Sequence, residues 1–196
     1  MSITLAKGQQ LSLAKNAGLS RVSMGLGWDA AKPKSGGFFG KVFGGGAVED
    51  IDLDASVIVF DAGKQVLDTV WFRQLTGMGG AIRHSGDNRT GDGDGDDETI
   101  SIDLSALPAS AMHMVFTVNS FLGQTFDKVE NAVCRLVDAR GNTELCRFNL
   151  AEKGAHTGAI MAVLSRASGA WEMTAIGRPT NGRTVKDLAA DAVRVI

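Results

Sequence analysis

The sequence predicts an all-β fold, a β-sandwich with Greek-key-like connections, on three observations. Short apolar or alternating segments recur along the chain with turn residues between them. The 196 residues include 25 glycines and only 3 prolines, the balance of many tight turns rather than of helical bundles or rigid linkers. Over residues 99–104 the alternation is clean: Ile100, Ile102 and Leu104 point one way, Thr99, Ser101 and Asp103 the other. The length suits one domain, residues 1–196, built on one core.

In chain order, strands are expected at 22–26, 56–60, 69–72, 100–104, 112–118, 132–137, 145–150, 159–164 and 171–176. The segment 31–47, AKPKSGGFFGKVFGGGA, reads as a long loop or insertion. Its Phe38, Phe39 and Phe43 are costly to leave in water, so they should cover a core edge or meet a partner. Lys32, Lys34 and Lys41 beside them suit an anionic membrane surface or an acidic partner. Near the C-terminus the period changes. Val185, Leu188, Ala189, Ala192, Val193 and Ile196 fall on one face of a helix, and Thr184 with Asp187 forms a variant capping box at its start. This amphipathic helix should pack on a sheet edge or face. No internal repeat occurs.

A net charge of −2, with no dense Lys/Arg cluster, argues against nucleic acid as a partner. The N-terminal stretch lacks a basic segment followed by an apolar run, and no stretch of ~18 apolar residues occurs. The expected location is cytoplasmic, or at most peripheral at the inner face of the membrane. Cys134 and Cys146 lie on strand-like segments around the turn Ala139-Arg140-Gly141-Asn142 and read as buried thiols.

The chemistry concentrates in residues 87–98, DNRTGDGDGDDE, which hold six carboxylates against one arginine. Such crowding is unfavourable unless the side chains spread into water or surround a cation. Three features favour a cation. Gly91, Gly93 and Gly95 alternate with aspartates and let the backbone fold tightly; Asp and Asn are the ligands hard cations prefer; and the loop runs directly into the strand from Thr99. A second acidic group, Glu49-Asp50-Ile51-Asp52-Leu53-Asp54, precedes the strand at 56–60, and in strand geometry Asp50, Asp52 and Asp54 share a face at steps of about 6.6 Å. A solvated sheet face is the plainer alternative for these three. Calcium takes about six to eight oxygens, so the two groups could pool ligands for two ions.

Other metal motifs fit poorly. Counted from Asp92, an EF-hand loop would need Gly and Glu where Asp97 and Asp103 stand. The glycine-aspartate pattern occurs once, unlike a repeating calcium β-roll. No His/Cys cluster has zinc or copper spacing. Gly25-Leu26-Gly27-Trp28-Asp29-Ala30 partly matches a dinucleotide glycine motif, but no helix pattern follows, which argues against nucleotide binding there. Asp29 could assist the acidic cluster or simply occupy a turn. His84, three residues before Asp87, could orient the loop by a hydrogen bond or be a plain surface histidine; His113 and His156 read as structural. No serine or cysteine can be matched with a base and an orienting acid.

GLGWDA at 25–30, DLDAS at 52–56 and HSGDNRTGDGDGDDE at 84–98 resemble the TerD family of bacterial tellurium-resistance and stress-response proteins. The resemblance covers nearly the whole chain. The phenylalanine-glycine insertion, WFRQL at 71–75 and FTVNSFLGQTFDKVENAVCRLVD at 116–138 look most like the TerZ branch. It implies a calcium-binding β-sandwich with a double-calcium motif and no established enzymatic activity. The loop match implies ligands at Asp87, Asn88, Asp94, Asp96, Asp97 and Glu98, and the DLDAS match adds Asp52 and Asp54. Where the commoner family form has Asn, this chain has Arg73, so a ligand role there is lost and Arg73 could balance charge instead.

The leading expectation is therefore a non-enzymatic module of a stress-response assembly that binds Ca2+, two ions, and whose metal-ordered loop shapes a surface for protein partners. Alternatives are Mg- or Mn-dependent phosphoryl-transfer or hydrolysis at the carboxylates, and capture of tellurium species by Cys134 and Cys146.

Overall fold

The computed structural model describes residues 2–16, 18–30, 51–88, 95–151, 153–167 and 169–196. In chain order the strands are Ile3–Thr4 (β1), Gln10–Ser12 (β2), Arg21–Ala30 (β3), Leu53–Phe60 (β4), Val66–Val70 (β5), Thr76–Gly77 (β6), Ile82–His84 (β7) and Glu98–Asp103 (β8). They continue as His113–Ser120 (β9), Val129–Asp138 (β10), Thr143–Asn149 (β11), Gly158–Ala167 (β12) and Ala170–Thr180 (β13), and the helix Val185–Ala192 (α1) follows. Sheet A runs β1-β11-β10-β3-β8-β7-β6 and sheet B runs β2-β13-β12-β9-β4-β5. The chain passes repeatedly from one sheet to the other, so β3 lies between β10 and β8, and β9 between β12 and β4. This is the sandwich with Greek-key-like connections that the alternating segments predict.

The central strands pair antiparallel, while β1 runs parallel to β11. Strands β1, β2, β6 and β7 are two or three residues long, too short for alternation to register in the sequence. The strand expected at 69–72 lies three residues earlier, as β5. Trp71 instead bridges Gln74 across a tight turn that carries Phe72 and Arg73.

The main core fills the space between the sheets, with Leu53, Val57, Val59, Ile100, Ile102, Phe116, Val118, Leu136 and Met161 among its buried members. A second core lies between the other face of sheet B and α1, where Ile58, Phe60, Val115, Ile160 and Val163 meet Val185 and Ala192. Burial on both faces explains why β4 reads as an apolar run at Ser56–Phe60 and not as an alternation. The capping box forms as expected: the Thr184 amide donates to the Asp187 carboxylate at 2.9 Å. Both cysteines are buried and unbridged, with Cys146 opposite Leu136 and Cys134 opposite Phe148 on the inner face of the β10–β11 pair. Burial pushes the Cys134 thiol up to about 12 and the Cys146 thiol to about 11, which keeps both protonated at neutral pH.

Phe38, Phe39, Phe43, Lys32, Lys34, Lys41, Asp50 and Asp94 lie outside the described residues. Among the described residues no helix is long and apolar enough to cross a membrane.

Candidate metal centre

The two acidic segments meet at one end of the sandwich, where β4 begins beside the loop that enters β8. Trp28 connects them. Its indole Nε1 donates to the Ile51 carbonyl at 2.9 Å, fixing the chain just before Asp52, and its backbone amide donates to Asp97 Oδ2 at 2.8 Å. The buried indole within GLGWDA thus has a structural reason that the motif alone does not reveal.

The glycines of that motif sit inside β3, not in a phosphate loop, and they make room. A Cβ on Gly25 would overlap the Asp96 carboxylate, with Oδ2 only 2.1 Å away, and a Cβ on Gly27 would come 2.9 Å from the Gly95 carbonyl. The end of the acidic loop therefore lies flat against sheet A. There Asp96 pairs with Arg135, Nε to Oδ1 at 2.7 Å.

Asp52, Asp54 and Asp87 come together: one carboxylate oxygen from each lies within 4.8 Å of the others. Asp52, just before β4, and Asp54, within it, are both buried, so the alternative of a solvated sheet face does not hold for them. At an effective dielectric of ~20, each pair of unit charges at such a distance repels by about 3 kcal/mol. The cost appears at Asp54, whose carboxyl is pushed up to about 8 by burial first and then by Glu98, Asp52 and Asp87, with the Phe121 amide opposing. A group held in this way takes either a proton or a cation.

Around the three aspartates is a supporting set. Glu98 is fully buried; its Oε2 accepts from the Ala55 amide at 2.6 Å and its Oε1 from the Asn88 amide at 3.1 Å. His84 is buried rather than a surface histidine and does orient the loop. The Gly86 amide donates to Nδ1 at 3.0 Å, which leaves Nε2–H to donate to the Ala55 carbonyl at 2.9 Å, 3.4 Å from Glu98. Asn88 donates to Asp97 Oδ1 at 3.3 Å, and burial, followed by Asp29, Asp96 and Glu98, raises the Asp97 carboxyl.

Of the expected ligands, then, Asp52, Asp54 and Asp87 converge; Asn88, Asp97 and Glu98 form an adjoining hydrogen-bonded group; Asp96 is drawn onto sheet A by Arg135. Sequence reasoning did not single out Asn119. It stands opposite Asp54 on β9, and its Nδ2 donates to the Arg183 carbonyl just before α1 at 2.9 Å and lies 3.5 Å from Asp54 Oδ2. Its buried Oδ1 has no hydrogen bond among the described residues, so it is a further oxygen donor next to the aspartates. An amide side chain following Val118 near the end of β9 was the available signal. Among the described residues Arg73 forms no ion pair with the aspartates; its guanidinium lies over the rings of Phe121, Phe72 and Trp71 at 5.0, 5.2 and 5.7 Å.

An all-oxygen set with two buried aspartates and a crowded, proton-holding carboxyl fits a hard divalent cation and offers nothing to a soft one. Comparison with known proteins agrees with the fold. The TerD domain model matches residues 1–191. The tellurium resistance protein TerZ of Serratia marcescens is 48% identical over 99% of this chain and 98% of its own length. The stress response protein SCP2 of Bacillus subtilis (strain 168) is 40% identical over 96% and 98%. A solved homologue of the telluride resistance protein TerD from Streptomyces coelicolor A3(2) superposes with a TM-score of 0.67 at 26% identity, covering 88% of this chain and 96% of that one. With a family match over nearly its whole length and relatives this similar end to end, the chain belongs to the TerD family.

Proposed function

We propose that this chain is a calcium-binding, non-enzymatic module of a bacterial tellurite-resistance or general stress-response system, folded as one domain and working in the cytoplasm. The observation that carries the reading is the convergence of Asp52, Asp54 and Asp87 from two separate acidic segments. The names of its relatives, TerZ and SCP2 among them, supply the physiological side. Asp52, Asp54 and Asp87 would hold one ion, with Asn119 near enough to contribute. Asp97 and Asn88, and Asp94 beyond the described residues, are the candidates for a second. Calcium supplies positive charge that replaces the proton on Asp54 and cancels repulsion among the aspartates. Through Asp87 and Asp54 a bound ion would tie the loop that enters β8 to the start of β4, and partners that prefer the tied loop would bind more tightly with calcium present.

Melting temperature in millimolar calcium against chelator tests this. Calcium should raise it by several degrees, because the ion binds the folded arrangement and not the unfolded chain. An identical melting temperature in both would remove the calcium reading. A rise with magnesium equal to that with calcium would replace it with a less selective divalent site.

A further inference from the structure

A cavity of about 450 Å³ opens on the outer face of sheet A, ringed by Arg21, Arg83, Ser101 and Asp103. Cross-strand register builds it. Ser101 on β8 stands opposite Arg83 on β7, and Asp103 stands opposite Arg21 on β3, so the two arginines flank β8 from its two sides.

Both guanidiniums are gripped at the same atom. Arg21 Nε donates to Asp103 Oδ2 at 3.3 Å, and Arg83 Nε donates to the Gly80 carbonyl at 3.4 Å. Among the described residues, the terminal nitrogens of neither arginine make a hydrogen bond. The other arginines of this sheet differ. Arg135, Arg140 and Arg147 each place a terminal nitrogen on a carboxylate, at 3.5, 2.6 and 2.6 Å. Asp103 does not compete for the forks, because its Oδ1 already accepts from the Ser105 amide, the Ser105 hydroxyl and the Ala106 amide.

The carbonyl that holds Arg83 is itself specially placed. Met78, Gly79 and Gly80 follow one another with φ of 51°, 67° and 96°, and the Met78 amide is anchored on Asp68 Oδ2 at 2.6 Å. Three consecutive left-handed residues, one of them not glycine, form a costly turn that only the surrounding structure sustains.

We propose that this groove binds the phosphate of a small phosphomonoester, the forks of Arg21 and Arg83 taking its oxygens with Ser101, opposite Arg83, lining the groove beside them. Planar guanidiniums with free terminal nitrogens match phosphate geometry. The cavity falls in the ~300–1,000 Å³ range of ligand pockets, which leaves room for the organic remainder. Glu98 begins β8 beside the aspartates and Asp103 ends it in the groove, so the two sites lie about 16 Å apart along the strand. The proposal thus stands independently of the calcium reading.

The test is titration of the isotopically labelled full chain with glycerol 3-phosphate, inorganic phosphate and glycerol at fixed ionic strength, followed by amide NMR shifts. Saturable shifts at Gly80, Arg83 and Ser101, with glycerol 3-phosphate tighter than inorganic phosphate and glycerol silent, are expected. Arg21→Gln and Arg83→Gln should each raise the Kd about tenfold or more with melting temperature unchanged. Arg194→Gln should leave it alone, since Arg194 lies outside the groove and already places a terminal nitrogen on Asp191. Shifts that do not saturate, that spread over the surface arginines, or that persist in Arg83→Gln would overturn the proposal, as would inorganic phosphate binding as tightly as the ester.

Discussion

Among the described carboxyls, Asp54 is held far above its ordinary range by burial and by neighbouring carboxylates, and its titration has a definite sign. Its folded carboxyl lies near 8 against an ordinary 3.8, so without calcium the folded state holds this proton more tightly than the unfolded chain does. That stabilisation is complete below about pH 4 and is lost as pH climbs towards 8. Calcium-free protein should therefore lose melting temperature between pH 5 and 8, while calcium-loaded protein, with the proton displaced, should not; parallel curves would contradict the assignment. Asp54→Asn removes the same charge permanently and should make the calcium-free protein at pH 8 more stable than the parent. Glu98 calls for the opposite expectation. Glu98→Ala strands the Ala55 and Asn88 amides in a buried site, at a cost on the order of 2–5 kcal/mol, readable as a lower urea midpoint even in chelator. The sequence marked Glu98 and Asp54 alike as acidic candidate ligands, in two separate groups. It could not show that one braces two segments while the other faces two more carboxylates, because the deciding partners, Ala55 and Asp87, lie dozens of residues away.

Strand β4 shows at the next scale what a pattern can and cannot tell. Its apolar run was legible as a strand, and the period of Val185, Leu188 and Ala192 as a helix. That each covers the other followed only from the structure, where α1 lies on the outer face of sheet B. Leu188 is fully buried at this contact, and Leu188→Ala should cost about 2–5 kcal/mol with an unchanged denaturant slope. A loss below ~1 kcal/mol would mean that α1 is only loosely attached. The start of the GLGWDA segment was legible as part of a strand at 22–26, but not that its missing side chains let the acidic loop lie against it. Gly25→Ala should therefore displace Asp96 from Arg135 and weaken calcium binding without any change at the aspartates themselves. Strands β10 and β11 bury both thiols, so a thiol reagent should modify the native protein far more slowly than the urea-unfolded chain. Rapid native reaction would instead revive tellurium capture by Cys134 and Cys146.

For the molecule as a whole, two sheets and one helix bring acidic segments distant in sequence to the same end of the sandwich, a meeting that composition foretold in kind and only the topology could locate. The proposed calcium centre belongs to this scale because it draws on β4, the loop entering β8, and β9, which the two sheets hold in register. Calorimetric titration of the parent chain and of Asp54→Asn with calcium, side by side, bears on it most directly. The parent should bind one or two calcium ions with saturable heat and release protons whose number falls as pH approaches 8, and Asp54→Asn should bind the first ion at least tenfold more weakly while keeping its fold. Equal calcium affinity in the two proteins, or no saturable heat in the parent, would contradict a calcium ion held by Asp52, Asp54 and Asp87.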